Sequence, residues 1–511
     1  MRKPLDGSGT KRLLLIEPPF YRLYYENYSL TRLPLSLAYL AGMVRRETDW
    51  QVQIYNADFS RNPAAKKYSH LAGRGFLNYM ENLKNPAGPV WSEVQKAIED
   101  FKPSVVGVTV KSQNFASACM VANIAKKIDG NIFVIMGGPH PSMVRTDILE
   151  DRAIDIGVFG EGEQTLVDVL CSVEGGSGLE EIAGIVYRRG LEARETNPRP
   201  LLSDEALDDL PFPVTVARDT LKDYEHYPPG AFSAVFASRG CPNNCTFCGS
   251  RYIWTRRTRF RSVHNVISEM REIARVGVTH VHFDDDTFGV RKSYTGELCR
   301  AIETELPGIR WSCEIHVNLV DEQTIAAMRK AGCWSVQVGV ESGNNDMLRV
   351  VRKGFTIERA RAAATLIRKH GIRLEAFFMV GFPQETVDSL DDTIREIKTF
   401  PCDSVSYSIF TPYPGTELFD YCRERGIVSD DFDVSLFNHQ SPLNHFCPDI
   451  PQQVFQERLR RLERDIDKLN AWREVRRNLS REGLARLRGA GVKAGISKLS
   501  RFARNVLTRR S

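Results

Sequence analysis

Apolar residues in the first two hundred positions fall in short unbroken runs. Leu13–Ile16, Val52–Tyr55, Val105–Val110, Ile132–Met136 and Ile154–Phe159 are such runs, rich in Val, Ile and Leu. A strand that reads as a continuous hydrophobic run is buried on both faces, as in a parallel sheet covered by helices. Between the runs, Leu35–Arg45, Trp91–Phe101, Ser117–Ile128 and Gln164–Ser172 have the length and spacing of helices. The alternation predicts an open, doubly wound (Rossmann-like) α/β domain over residues 12–200. Gly184–Asn197 reads as a small hairpin at its end. Residues 201–230, rich in Asp, Pro and Tyr, read as an extended connector.

The strand–helix rhythm resumes at Phe232. Ser233–Ser238, His280–Asp284, Arg310–Ile315, Ser335–Val340, Leu374–Val380 and Ser404–Phe410 are candidate strands. Val263–Val276, Thr324–Ala331 and Ile357–His370 are candidate helices between them. Repeated βα units over residues 231–430 predict a partial (β/α)6 barrel, whose active site sits at the carboxyl ends of the strands. Beyond it, Val454, Leu459, Leu462, Ile466 and Leu469 keep helical spacing, so 431–477 is a helical region.

Length and composition sharpen this picture. At 511 residues the chain holds two or three domains, and 42% hydrophobic with 26% charged residues suits a globular protein. No stretch approaches the roughly 18–20 apolar residues of a membrane span. Eleven cysteines without an export signal point to a reducing, cytoplasmic setting. Net charge is +5, but residues 471–511 carry 12 Lys plus Arg against 2 Glu, so the rest of the chain is mildly acidic. The tail 478–511 is a basic amphipathic segment. It suits peripheral contact with an anionic membrane, which would suggest a lipid-like substrate, and equally a tail that folds back. No aromatic stacking platform accompanies the charge, so nucleic acid is not expected.

Candidate chemistry lies at the strand ends. In the first domain these carry Pro19, then Thr109, Ser112 and Gln113, then Gly137, Gly138 and His140, then Gly160, Glu161 and Gly162. Glycines let a flat ligand approach the backbone, and hydroxyls and amides bind a polar rim. The first strand runs into Glu17-Pro18-Pro19, with no Gly-rich turn for a dinucleotide. In the second domain, Ser238-Arg239-Gly240-Cys241-Pro242-Asn243-Asn244-Cys245-Thr246-Phe247-Cys248-Gly249 follows the first strand. The spacing C-x3-C-x2-C aims three thiolates at one point, and soft thiolates suit iron–sulfur clusters or zinc. A structural zinc site wants four closed ligands, and no fourth has knuckle spacing here. A [4Fe–4S] cube held by three cysteines keeps one iron open to a cosubstrate. The other cysteines read as buried thiols, with Cys402, Cys422 and Cys447 an alternative auxiliary cluster.

The cysteine loop and the order of the later strand ends resemble the radical S-adenosylmethionine (SAM) enzymes. Those ends are Asp284-Asp285-Asp286, Glu341-Ser342-Gly343, Gly381-Phe382-Pro383 and Pro414-Gly415-Thr416. The first domain is similar to the cobalamin-binding domain that B12-type members place ahead of the barrel. The resemblance covers about residues 12–430. It implies that Cys241, Cys245 and Cys248 hold a [4Fe–4S] cluster whose open iron chelates SAM. Phe247, Asp285, Glu341, Gly381 and Pro383 then contact SAM, and the loops of the first domain cradle cobalamin. It implies reductive cleavage of SAM to a 5′-deoxyadenosyl radical, with one electron from a flavodoxin or ferredoxin. C-methylation of an unactivated carbon in a small-molecule or lipid-like substrate is the leading reaction. An anaerobic oxidative cyclisation of the tetrapyrrole type and a radical dehydration or deoxygenation are alternatives, as is a non-catalytic cobalamin- or metal-binding module. The Asp-x-His-x-x-Gly motif that supplies a lower cobalt ligand in other B12 proteins is absent.

Overall fold

The computed structural model describes residues 11–61, 74–175, 178–438 and 441–478. The first domain is built on strands β1 (Arg12–Glu17), β2 (Gln51–Asn56), β3 (Val105–Thr109), β4 (Phe133–Gly137), β5 (Ile156–Val158), β6 (Ile185–Arg189) and β7 (Glu192–Glu195). Their order is β2-β1-β3-β4-β5-β6-β7; the first five run parallel, and β6 and β7 add the predicted hairpin antiparallel. The unbroken apolar run in β1 has a direct cause. Leu13 and Leu15 enter one hydrophobic core, while Leu14 and Ile16 enter another on the opposite face. Helices cover both faces, as the continuous hydrophobic strands require.

The second domain holds β8 (Ala234–Val235), β9 (Ser238–Arg239), β10 (Arg259–Phe260), β11 (His280–Phe288), β12 (Arg310–Ile315), β13 (Cys333–Glu341), β14 (Arg373–Val380) and β15 (Ser404–Ile409). Six of these form an all-parallel curved sheet in the order β15-β14-β13-β12-β11-β8. The predicted first strand, Ser233–Ser238, is divided. Its first half pairs with β11, whereas β9 leaves the sheet and pairs antiparallel with β10. The backbone N–H of Ala237 bonds Asp285 Oδ1 at 2.8 Å instead of continuing the ladder.

The connector is also more ordered than its composition suggests. It contains the helices Asp204–Asp208, capped by Ser203, and Pro213–Thr220, opened by a proline at its first turn. The second packs Val214, Val216 and Ala217 into the core shared by both domains. Helix Gln452–Asn478 closes the barrel's side, placing Phe455, Leu462 and Ile466 against β14 and β15. Among the described residues no helix is long and apolar enough to cross a membrane. The basic tail beyond Asn478 lies outside the described residues.

Candidate active site

The cysteine loop leaves β9 through Gly240, whose φ is +104°. A Cβ there would lie 2.3 Å from the carbonyl oxygen of Arg257, so only glycine fits. The loop is tied at several points. Thr246 donates its N–H to Val351 O at 3.3 Å and accepts from Leu418 N at 3.2 Å. Asp286 reaches Gly240 N at 3.2 Å and Ser250 Oγ at 2.8 Å, bracing both flanks of the loop from β11. Cys241, Cys245 and Cys248 are free and half-buried on this frame. Among the described residues no three His, Cys, Asp or Glu side chains close around a single ion. A cubane has another requirement, one thiolate for each of three irons. Burial pushes the Cys245 thiol up, against the pull of the nearby Lys353 ammonium, and holds Cys248 up to about 11. Loading metal on these thiols therefore releases protons.

Around the mouth, Glu341 sits at φ +69° and bonds Lys353 Nζ at 3.2 Å, a pair with both side chains nearly buried. A Cβ on Gly339 would meet Glu341 Oε1 at 2.5 Å, so the glycine leaves the space this carboxylate fills. Gly381 turns at φ +84°, its N–H held by the Glu385 carboxylate at about the limit of a short hydrogen bond. Phe382, beside Pro383, is buried with its ring 6.0 Å from that of Phe247. Asp285 departs from expectation. It is buried, bonds Ala237 N and the Ser238 hydroxyl, and has its carboxyl pushed up to about 7 by loss of solvent. It braces the strand that feeds the loop; its neighbour Asp284 lines the space between the domains.

That space is a cavity of about 380 Å³ whose walls come from both domains. Thr109, Gly137, Gly138, Gly160, Glu161 and Gly162 line it from the first domain; Phe236, Trp254 and Asp284 face them from the barrel. A Cβ on Gly160 would meet nothing, and one on Gly137 only Val158, so the floor is bare backbone over apolar side chains. A broad ring with a polar rim fits this kind of surface, and these residues suit a corrin. Glu161, however, is not a free rim acceptor. Its carboxylate takes Arg239 at 2.9 Å, Arg259 at 2.7 Å and Leu202 N at 2.7 Å.

Four predicted residues lie off the cavity lining. Pro19 offers its carbonyl to the Ser117 hydroxyl. His140 is buried against the Phe115 ring and 3.0 Å from Ser112 Oγ, and burial holds its imidazole down to about 4. Ser112 is spent on that bond, and Gln113 sits in the same short turn (Ser112–Asn114). This sets His140 in the domain's packing rather than in the cleft. Cys402, Cys422 and Cys447 are buried in three separate hydrophobic clusters, as small apolar side chains.

Sequence reasoning missed several groups. Arg32 bonds Asp284 across the domains. Lys353 acts on Cys245 and Glu341 from a turn with no motif of its own. The state of Glu314 on β12, though not its place at a strand end, belongs with them: loss of solvent first, then the nearby Asp284 and Asp286, raise its carboxyl to about 7. Arg239 was visible only as a letter before the cysteines, since its partners Glu161 and Glu163 lie far away in sequence.

Comparisons with known proteins agree with this layout. Residues 235–397 match the Radical SAM superfamily and residues 24–170 the B12 binding domain. An uncharacterized methyltransferase of Pyrococcus horikoshii is 33% identical over 82% of this chain and 84% of its own length. The anaerobic magnesium-protoporphyrin IX monomethyl ester cyclase of Rubrivivax gelatinosus is 28% identical over 69% of this chain and 63% of its own. Among solved structures, the radical S-adenosylmethionine methyltransferase TsrM of Kitasatospora setae, with cobalamin and a [4Fe–4S] cluster bound, shares the fold. Its TM-score is 0.67 at 16% identity, covering 90% of this chain and 89% of that one. The chain belongs to the radical SAM enzymes that carry a B12-binding domain ahead of the barrel, a family whose cofactors are a [4Fe–4S] cluster, SAM and cobalamin.

Proposed function

We propose that this enzyme C-methylates an unactivated carbon of a small-molecule substrate in the space between the cysteine loop and the glycine-floored cleft. The observation that carries this reading is their juxtaposition. The strand entering the cysteine loop and the loop flooring the cleft are joined by Arg239 and Glu161 at 2.9 Å. When bound, the cluster with SAM supplies hydrogen-atom abstraction and cobalamin supplies a transferable methyl group.

The chain's own residues then have defined tasks. Cys241, Cys245 and Cys248 would hold three irons. The Glu341–Lys353 pair beside Cys245 offers one carboxylate and one ammonium to a zwitterionic cosubstrate. Phe247, Gly381 and Pro383 would wall the adenine. Thr109, Gly137, Gly138, Gly160 and Gly162 would bed the corrin, while the apolar lining excludes water. A flavodoxin or ferredoxin would supply the electron. The methyltransferase relative supports methylation. The cyclase relatives support a second reading, an oxidative ring closure.

The test separates the two. Anaerobically reconstituted protein is incubated with methyl-labelled SAM, reductant, cobalamin and a small-molecule extract of its source cells. Cobalamin-dependent label on a carbon–methyl product supports methylation. An unlabelled product two hydrogens lighter than its precursor would replace it with the cyclase reading. In the Cys245→Ala variant neither product forms, and iron falls well below about four per chain.

A further inference from the structure

The first domain grips the cysteine loop at both ends. At its start, Arg239 is buried between Glu161 at 2.9 Å and Glu163 at 2.7 Å, and Arg259 adds a second contact to Glu161 at 2.7 Å. All four side chains are at most 8% exposed. At its end, Met143 sits between two glycines. A Cβ on Gly249, the residue after Cys248, would stand 2.5 Å from Met143 Sδ, and one on Gly415 would stand 2.7 Å from Met143 Cβ. The thioether is thus a knob seated in the hole left by the missing side chain of Gly249, while Gly415 makes room for the Cβ and backbone of Met143.

Both grips belong to the walls of the cleft. Met143 is on the helix Pro139–Val144, which starts at Gly138 and Pro139 on the cavity lining. Glu161 and Glu163 line the same cavity. Ser142 ties the two walls together, donating to Gly138 O at 2.8 Å and accepting from Gly160 N at 3.0 Å. His140 anchors the helix from behind through Ser112 and Phe115. A group lying on Gly138 and Gly160 touches the elements that fix both ends of the cysteine loop.

We infer that Met143 and Arg239 are positioning residues that couple the two cofactor sites: cobalamin in the cleft sets the geometry of the cluster loop, and the loaded cluster tightens cobalamin binding. The inference rests on the assignment of the cysteine loop to the cluster and of the cleft to cobalamin. Coupling between sites is reciprocal, so it is readable from binding alone.

The experiment measures the hydroxocobalamin dissociation constant by equilibrium dialysis, on protein with and without reconstituted iron, under anaerobic conditions. Wild type is expected to bind about tenfold tighter when iron-loaded. In Met143→Ala that ratio falls toward one while iron content and cobalamin binding both persist. Met143→Leu, which refills the hole with a side chain of similar volume, keeps it. A ratio of one in wild type, or an undiminished ratio in Met143→Ala, overturns the coupling while leaving the two sites standing. Absence of iron or cobalamin binding in wild type overturns the site assignments and the coupling with them.

Discussion

At the scale of the residue, two positions decide whether the cysteine loop has its shape. Gly240 combines a φ of +104° with a Cβ position blocked by Arg257 O. Gly240→Ala is expected to cost on the order of 1–3 kcal/mol from backbone strain alone. Its iron content after reconstitution should fall further than its thermal midpoint, since the strain falls on the loop. Asp285 holds the strand before it. The carboxyl has a pKa of about 7 in the folded chain against an ordinary 3.8, so folding favours its protonated form. Its contribution to stability is complete below about pH 4 and is lost as pH rises through 7. Asp285→Asn keeps an oxygen for Ala237 N. A series of thermal midpoints from pH 4 to 8 should fall less steeply for this variant than for wild type; parallel curves would remove Asp285 from the account. The places of the cysteines, Glu341 and the glycines at strand ends were legible in sequence, because each follows an apolar run that marks a strand. Lys353, Arg32 and Arg239 were not, because each is defined by a partner from another element.

At the scale of the element, nearly every strand was readable, since unbroken apolar runs report burial on two faces. The exceptions are instructive. Ser233–Ser238 reads as one strand, yet Asp285 captures the N–H of Ala237 and the chain turns out of the sheet, which no local pattern encodes. The connector's Pro and Asp residues read as breakers, but there Ser203 caps one short helix with Asp204 in its first turn, and Pro213 opens another. The helix Gln452–Asn478 was readable from its apolar spacing, and the structure adds its purpose. Phe455 is fully buried, and a Cβ on Gly381 would stand 2.9 Å from its ring. The helix therefore backs the turn that carries Phe382 and Pro383. Phe455→Ala is expected to cost about 3–5 kcal/mol. In urea unfolding this should appear as a lower midpoint with the slope unchanged.

At the scale of the whole molecule, the two domains share one hydrophobic core and a buried charge network, so they act as a single body. Glu161→Gln removes a carboxylate facing two buried guanidinium groups and is expected to destabilise the protein by about 3–5 kcal/mol. A loss near zero in urea titration would mean the network adds nothing across this interface. The central claim is that three thiolates at the barrel mouth hold a cluster with one iron left open for SAM. It is tested most directly by measuring 5′-deoxyadenosine in anaerobically reconstituted protein given SAM and a one-electron reductant. About four irons per chain and reductant-dependent 5′-deoxyadenosine are expected, both lost in Cys241→Ala, Cys245→Ala and Cys248→Ala. Zinc in place of iron, or an intact cluster that leaves SAM uncleaved, would contradict that claim.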